Sequence, residues 1–376
     1  MTPTLSTHRV RTNGWRRVRT GLLSVLLAGV AMAFAAPKPA HALSIEATFD
    51  PNLSASAVIV INTAISFYQT TFSDPITVNI EFENMNTGLG RSLTFVRTTP
   101  YSTYRTALGA DATSANDATA LANTPTGAFN PVTGSTFINV KNANLRAVGL
   151  PAAFGNFGTA CVRVNYVGDS CIGLNVGQTT TGGGAFSLLA TVEHEIDEAL
   201  GLGSELPNLT FLGGHPTPED LFRWASAGVR SFATNPNVAG CNNGAGAPAA
   251  FFSINGGVAN LNQFNNCNNG DDYGDWITHT PSQVQDALTN GTGAPSLTAA
   301  SSETVALDVI GYTFAVPEPM SLVLIATGLA SLAAARRCAR IVSRTRGYTA
   351  RGRGPGCRIC GIRNPDDWCP IWQITL

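Results

Sequence analysis

Apolar positions along this chain switch period several times, and each switch marks an element. Ile45–Phe49 is a short apolar run that predicts a strand. Over Ser54–Phe72 the apolar residues Val58, Ile61, Ile65 and Tyr68 recur on one face, which predicts a helix. After Pro75, Ile76–Phe82 alternates and predicts a second strand. The pattern further predicts a helix over Ala107–Ala122, strands at Thr136–Val140 and Cys161–Val167, and a turn or rim at Gly182–Gly184. Ala185–Leu200 predicts a helix stopped by Gly201 and Gly203. A Gly/Asn-rich stretch, Asn235–Asp275, precedes a last helix near Thr304–Ile310. Strand, helix, strands, helix is the order of a mixed α/β layer, of α+β type. Residues 43–315 are enough for one large domain.

The two ends follow another rule. Residues 1–42 carry six Arg and Lys and no acid, and their apolar run Leu22–Ala36 leads to Ala40-His41-Ala42. A basic start, a short apolar run and a small-x-small site predict a cleaved signal peptide. Val316-Pro317-Glu318-Pro319 precedes the apolar run Met320–Ala335 and then Arg336 and Arg337. About 16 apolar residues are marginal for a membrane span, and the arginines favour the cytoplasmic side. This segment, 316–340, resembles the PEP-CTERM sorting signal of bacterial exopolysaccharide-associated proteins. The resemblance implies a dedicated sorting enzyme as partner, a transient membrane anchor through the C-terminal helix, and delivery to the cell surface or matrix. Such signals end near the arginines, whereas this chain continues through an atypical Arg- and Cys-containing tail, residues 341–376. Cys357, Cys360 and Cys369 in it lack a fourth metal ligand at plausible spacing other than Cys338.

Charge changes the picture of the middle. Residues 43–315 hold 8 Lys and Arg against 21 Asp and Glu, a balance of −13. Nucleic acid is excluded as a partner, since phosphate binding needs clustered cations. The balance leaves room for a bound cation. The domain's cysteines, Cys161, Cys171, Cys241 and Cys267, suit an oxidising compartment. Local pairing, Cys161 with Cys171 and Cys241 with Cys267, is the natural expectation among three connectivities.

Chemistry concentrates on the Ala185–Leu200 helix. Val192, Ile196 and Leu200 recur every four residues as its buried stripe. His194 and Glu198, also four apart, share a face roughly opposite, with Glu195 beside them. Two such donors can hold one metal ion. Glu193, Glu195, Asp197, Glu198 and Glu205 crowd this region, while no Lys or Arg occurs between Val164 and Phe222. Such crowding raises carboxylate pKa values unless a cation compensates; a bound divalent ion is the simplest supply, Arg223 or Arg230 folding back is another, and a solvated acidic helix face is the alternative.

His194-Glu195-x-x-Glu198-x-x-Gly201 resembles the zincin motif His-Glu-x-x-His-x-x-Gly, with glutamate in place of the second histidine. Asp220-Leu-Phe-Arg223, Gly228–Phe232, Phe252–Gly257, Tyr273-Gly-Asp-Trp276 and Ala306–Tyr312 add to a resemblance to PEP-CTERM-bearing, zincin-like metalloproteases over residues 43–315. It implies a zincin-like fold with an active-site helix and an irregular Gly/Asn-rich C-terminal subdomain. It also implies zinc or another divalent metal on His194 and Glu198, with Glu195 as general base. The related metzincin pattern puts its third ligand at Ser204, a poor donor, so Asp220, His215 and Glu205 are the candidates, Asp220 favoured by its block. Asn268–Asp275 lacks the spacing of a calcium loop and reads as a turn, and His279 reads as structural.

The function this implies is metal-dependent hydrolysis of proteins or peptides outside the cell. The alternative is an inactive zincin-like scaffold that binds matrix or exopolysaccharide, because a carboxylate-rich site weakens the metal as a Lewis acid.

Overall fold

The computed structural model describes residues 43–179, 186–206, 213–232, 250–266, 272–289, 291, 295–315 and 336. The signal peptide, the Pro-Glu-Pro segment, the tail, the Gly182–Gly184 rim and Cys241 and Cys267 lie outside these residues. The chain divides into two units, Met1–Ala315 and Val316–Leu376; every element named here belongs to the first.

The core is a four-stranded mixed sheet. Strand β1 (Ser44–Phe49) runs parallel to β2 (Thr77–Asn84), in register from Ser44 with Thr77 to Phe49 with Phe82. Between them lies α1 (Ala55–Thr71), the crossover a parallel pair requires. Ser54 caps α1 by accepting from the Ala57 amide, and Ala57, Ile61, Ala64, Ile65 and Tyr68 form its buried face. Strand β3 (Gly90–Thr94) follows, then β4 (Val96–Pro100), α2 (Tyr101–Asp111), α3 (Ala115–Ala122), β5 (Phe137–Lys141) and α4 (Asn142–Ala147). Short strands β6 (Gly155–Asn156) and β7 (Val167–Gly168) lead to β8 (Ser170–Leu174). Strand β8 completes the sheet in the order β1-β2-β8-β3, parallel to β2 and antiparallel to β3, which leaves β3 at the edge. Helix α5 (Leu188–Leu200) packs on β3 and α1.

A second sheet, β10-β9-β11-β12, is antiparallel and small: β9 Arg223–Ser226, β10 Val229–Arg230, β11 Phe251–Phe252 and β12 Asn262–Gln263. Its aromatic residues Phe252 and Phe264 pack against the fully buried Trp276. Helix α6 (Ser302–Val309) closes the domain. The chain then returns to its beginning: Thr71 accepts from Ala315, Phe72 accepts from Leu43, and Ser73 donates to Thr313, all through the backbone. Among the described residues, no helix is long and apolar enough to cross a membrane.

The mixed α+β class agrees with the sequence pattern. Two expected elements do not. The helix expected over Ala107–Ala122 is two helices, because Ser114 caps α3 in a reciprocal capping box with Asp117 and breaks the run. Cys161–Tyr166 is turn and bend rather than strand, and of the expected strand only Val167 enters β7. A disulfide from Cys161 to Cys171 holds the turn against β8, and Glu83 and Glu81 accept its Val162 and Arg163 amides at 2.7 and 3.0 Å.

Asp74 generates a test. It is buried, it accepts from the Thr313 amide, and burial pushes its carboxyl up to about 7. Burial likewise raises Asp308 to about 6. A carboxyl whose folded pKa exceeds its unfolded value of about 3.9 stabilises fully below that value and loses its contribution as pH rises through the folded pKa. Thermal melts of the metal-free chain should therefore fall between pH 5 and pH 8. Asp74→Asn, which keeps an acceptor for Thr313, should flatten that decline.

Candidate metal centre

Helix α5 starts where Ser187 accepts from the Ala190 amide at 3.2 Å. Val192, Ile196 and Leu200 are fully buried against the core, which fixes the rotation of the helix. The opposite face then turns His194, Glu195 and Glu198 into a cleft of about 800 Å³. Edge strand β3 forms one wall of it, and Gln283–Thr289 contribute to another.

His194 Nε2 lies 3.8 Å from Glu198 Oε1 and 3.6 Å from Asp275 Oδ1. These are charge contacts, too long for hydrogen bonds. One donor atom from each of the three side chains lies within 4.8 Å of the others, a group that could hold a metal ion. Donors bound to one zinc at about 2.0–2.2 Å in tetrahedral geometry stand about 3.3–3.6 Å apart, close to the spacing found here. His194 Nδ1 sits 3.0 Å from the Val284 carbonyl. Donation from Nδ1–H to that carbonyl points Nε2 at the two carboxylates, the outer contact that orients a metal-binding imidazole.

Acidic side chains outnumber basic ones in the cleft lining, where Arg91 and Lys141 are the basic residues. Burial disfavours a charged His194, yet Asp275, Glu198 and Glu195 outweigh it and raise its pKa well above the ordinary histidine value. Burial also works to raise Glu198. The charge influence of His194, then Lys141 and the Ser92 hydroxyl 2.5 Å away, hold it down at about 2. Glu195 goes the other way: burial first, then the charge of Glu198, raise it well above the carboxylate range. Its Oε2 is buried without a hydrogen-bond partner. Adjacent carboxyls are thus driven apart in proton affinity, one an ionised donor and the other a proton holder.

Of the residues expected from sequence, the fold brings His194, Glu195 and Glu198 together. Asp220 does not join the donor group. It lies in the 3-10 turn Glu219–Phe222, where its carboxylate accepts from Ser204 Oγ at 2.6 Å and the Thr217 amide at 2.9 Å. His215 does not join it either; its ring packs on Phe137 and its Nδ1 lies 3.3 Å from Ser135 Oγ. Glu205 lines the cleft, raised to about 7 by burial and by Asp272 and Asp220. His279 pairs with Asp286 at 2.6 Å.

Asp275, which takes the third position, falls in the stretch Asn268–Asp275 whose sequence predicts a turn. Its placement depends on close backbone approach. A Cβ on Gly274 would lie 2.5 Å from the Gly203 Cα, so only glycine lets segment 272–275 press on the end of α5. Gly203 itself has φ +115, a glycine conformation. Buried Arg223 donates to the Tyr273 carbonyl at 2.5 Å and to Asn266, holding the segment from behind. The Gly-Asp pair within the Tyr273–Trp276 block was the available signal.

Calorimetry with zinc on the metal-free chain should find one equivalent. Asp275→Asn should weaken it about 100-fold or more, since a direct donor matters at least as much as the outer contacts worth 10–100-fold. Asp220→Asn and His215→Ala should leave the affinity unchanged.

No family model, no curated protein and no solved structure matches this chain.

Proposed function

We propose that this chain is an exported, surface-sorted zinc-dependent hydrolase of proteins or peptides, zincin-like in its domain and delivered by the PEP-CTERM route. The observation that carries the hydrolase reading is the convergence of His194, Glu198 and Asp275, with His194, Glu198 and the neighbouring Glu195 lining the cleft. Export and sorting rest on the sequences of residues 1–42 and 316–340.

The donor set suits zinc, which accepts imidazole nitrogen and carboxylate oxygen. Held there, zinc would polarise a substrate carbonyl and acidify water. Glu195 is the proton carrier. Its high proton affinity and its unpaired Oε2 suit it to take a proton from water and pass it to a leaving amine. Val284 holds the His194 ring in the donor orientation. Strand β3 pairs with β8 on one side only and lines the cleft, so its other edge can hydrogen-bond an extended peptide. That edge is what favours a polypeptide over a small ester or amide.

The test is cleavage of an unfolded protein by the zinc-loaded chain, lost on chelation. Glu195→Gln should still take up one zinc while its rate falls about 10²–10⁴-fold, the range for loss of a general base. A loaded wild-type chain that cleaves nothing would reject catalysis and leave the scaffold that binds matrix or exopolysaccharide.

A further inference from the structure

Segment 275–287 brings a fourth group to the cluster. Trp276 forms a parallel bridge with Asp286: Gln285 O accepts from the Trp276 amide at 2.8 Å, and Trp276 O accepts from Ala287 at 2.9 Å. The Gln285 amide donates to Glu303 Oε1 at 3.2 Å. The backbone at Gln285 is thereby pinned, and the residue is fully buried. Its side chain reaches the cluster: Nε2 donates to Asp275 Oδ1 at 2.8 Å and lies 3.3 Å from His194 Nε2. The other end, Oε1, is buried with no hydrogen-bond partner.

Two features of this geometry stand out chemically. The amide end touches the same two donor atoms that a cation on His194 and Asp275 would engage. Its distances from them, 3.3 and 2.8 Å, approach the separation of about 3.3–3.6 Å between donors sharing one tetrahedral zinc. An amide has a donor end and an acceptor end of nearly equal size. Without a cation the N–H end donates to Asp275 Oδ1 and lies beside His194 Nε2. With one, that end is repelled, and a half-turn about the terminal bond presents the oxygen. The buried Oε1 has no hydrogen-bond partner as it stands, and coordination would give it one.

We propose that Gln285 is a reversible fourth donor: its amide N–H end spans His194 and Asp275 in the cation-free site, and its oxygen turns inward to ligate the cation when one binds. The inference rests on reading His194, Glu198 and Asp275 as a cation site. Its consequence is control over coordination. Four protein donors make a closed zinc site, and three leave a position for water or substrate. The orientation of one amide then sets which of the two this cleft presents.

Zinc calorimetry and zinc X-ray absorption on the full-length chain, stripped by chelator and reloaded, test this. Gln285→Met keeps the length and loses both amide ends. It should still take one zinc, about 10–100-fold more weakly, with one fewer oxygen or nitrogen neighbour in the absorption spectrum. Gln285→Glu always offers oxygen and should bind at least as tightly as wild type. Wild-type affinity and an unchanged neighbour count in Gln285→Met would overturn the proposal while leaving the three-donor site intact. So would weakened binding in Gln285→Glu, should the methionine variant not fold. A wild-type chain that takes up no zinc, behaving as His194→Ala does, would instead reject the cation site, and this inference with it.

Discussion

Negative charge buried without matching positive charge is the constraint on which this domain is organised. Glu193, Glu195 and Asp197 are buried on a helix that carries no Lys or Arg, and Asp275, Glu219 and Glu303 are buried close to it in charge terms. Lys141 and Arg223 are the cations that act on this region, and each is partly committed to backbone: Lys141 to the Leu202 carbonyl, Arg223 to that of Tyr273. Protons must neutralise the remainder, or a metal must. On the far face of α5 the answer is protons. The Tyr68 hydroxyl sits 2.8 Å from Asp197, whose pKa burial drives far up, and burial raises Glu193 to about 7. On the cleft face Asp275, Glu198 and Glu195 together raise the proton affinity of His194 against burial, and a divalent ion can supply the positive charge they favour.

The cleft face is assembled from two distant parts of the chain. Helix α5 supplies two donors by its own periodicity, and its register is fixed by apolar packing that would be the same with or without a site. The third donor, the carbonyl that orients His194 and the amide of Gln285 all come from 275–285. That stretch has almost no regular structure of its own. Its rigidity comes from Trp276 packed against Phe252 and Phe264, and from Arg223 stacked 4.1 Å over Phe264 while gripping the backbone before Asp275. An irregular segment can hold a side chain accurately when an aromatic core and a buried cation fix its backbone on both sides.

This division explains what could be read from sequence. The periodicity of α5 fixes which residues share a face, so His194, Glu195 and Glu198 were legible, as were α1 and the strands on either side of it. The break between α2 and α3 was not foreseen, since the Ala-rich run looks continuous unless Ser114 and Asp117 are weighed as a cap. Asp275 was hidden for a different reason. Its position follows from glycine-on-glycine contact with Gly203 and from hydrogen bonds of Arg223 across some 50 residues, and neither leaves a periodic trace. Asp220 looked favourable because it sits in a conspicuous block. Yet nearby hydroxyl and amide donors, Ser204 and Thr217, satisfy it locally, and local partners usually win over distant ones when a short acidic side chain lies in a turn.

The turn Thr71–Ser73 receives backbone hydrogen bonds from Leu43 and Ala315 and gives one to Thr313. Entry into and exit from the domain therefore lie side by side at the end of α1. Tension applied to the chain at both points would load this small knot first, unzipping its few bonds one after another while the cleft stayed mechanically idle. A domain held this way can be tugged by its flanking segments, or cut free of them, without the strain reaching His194.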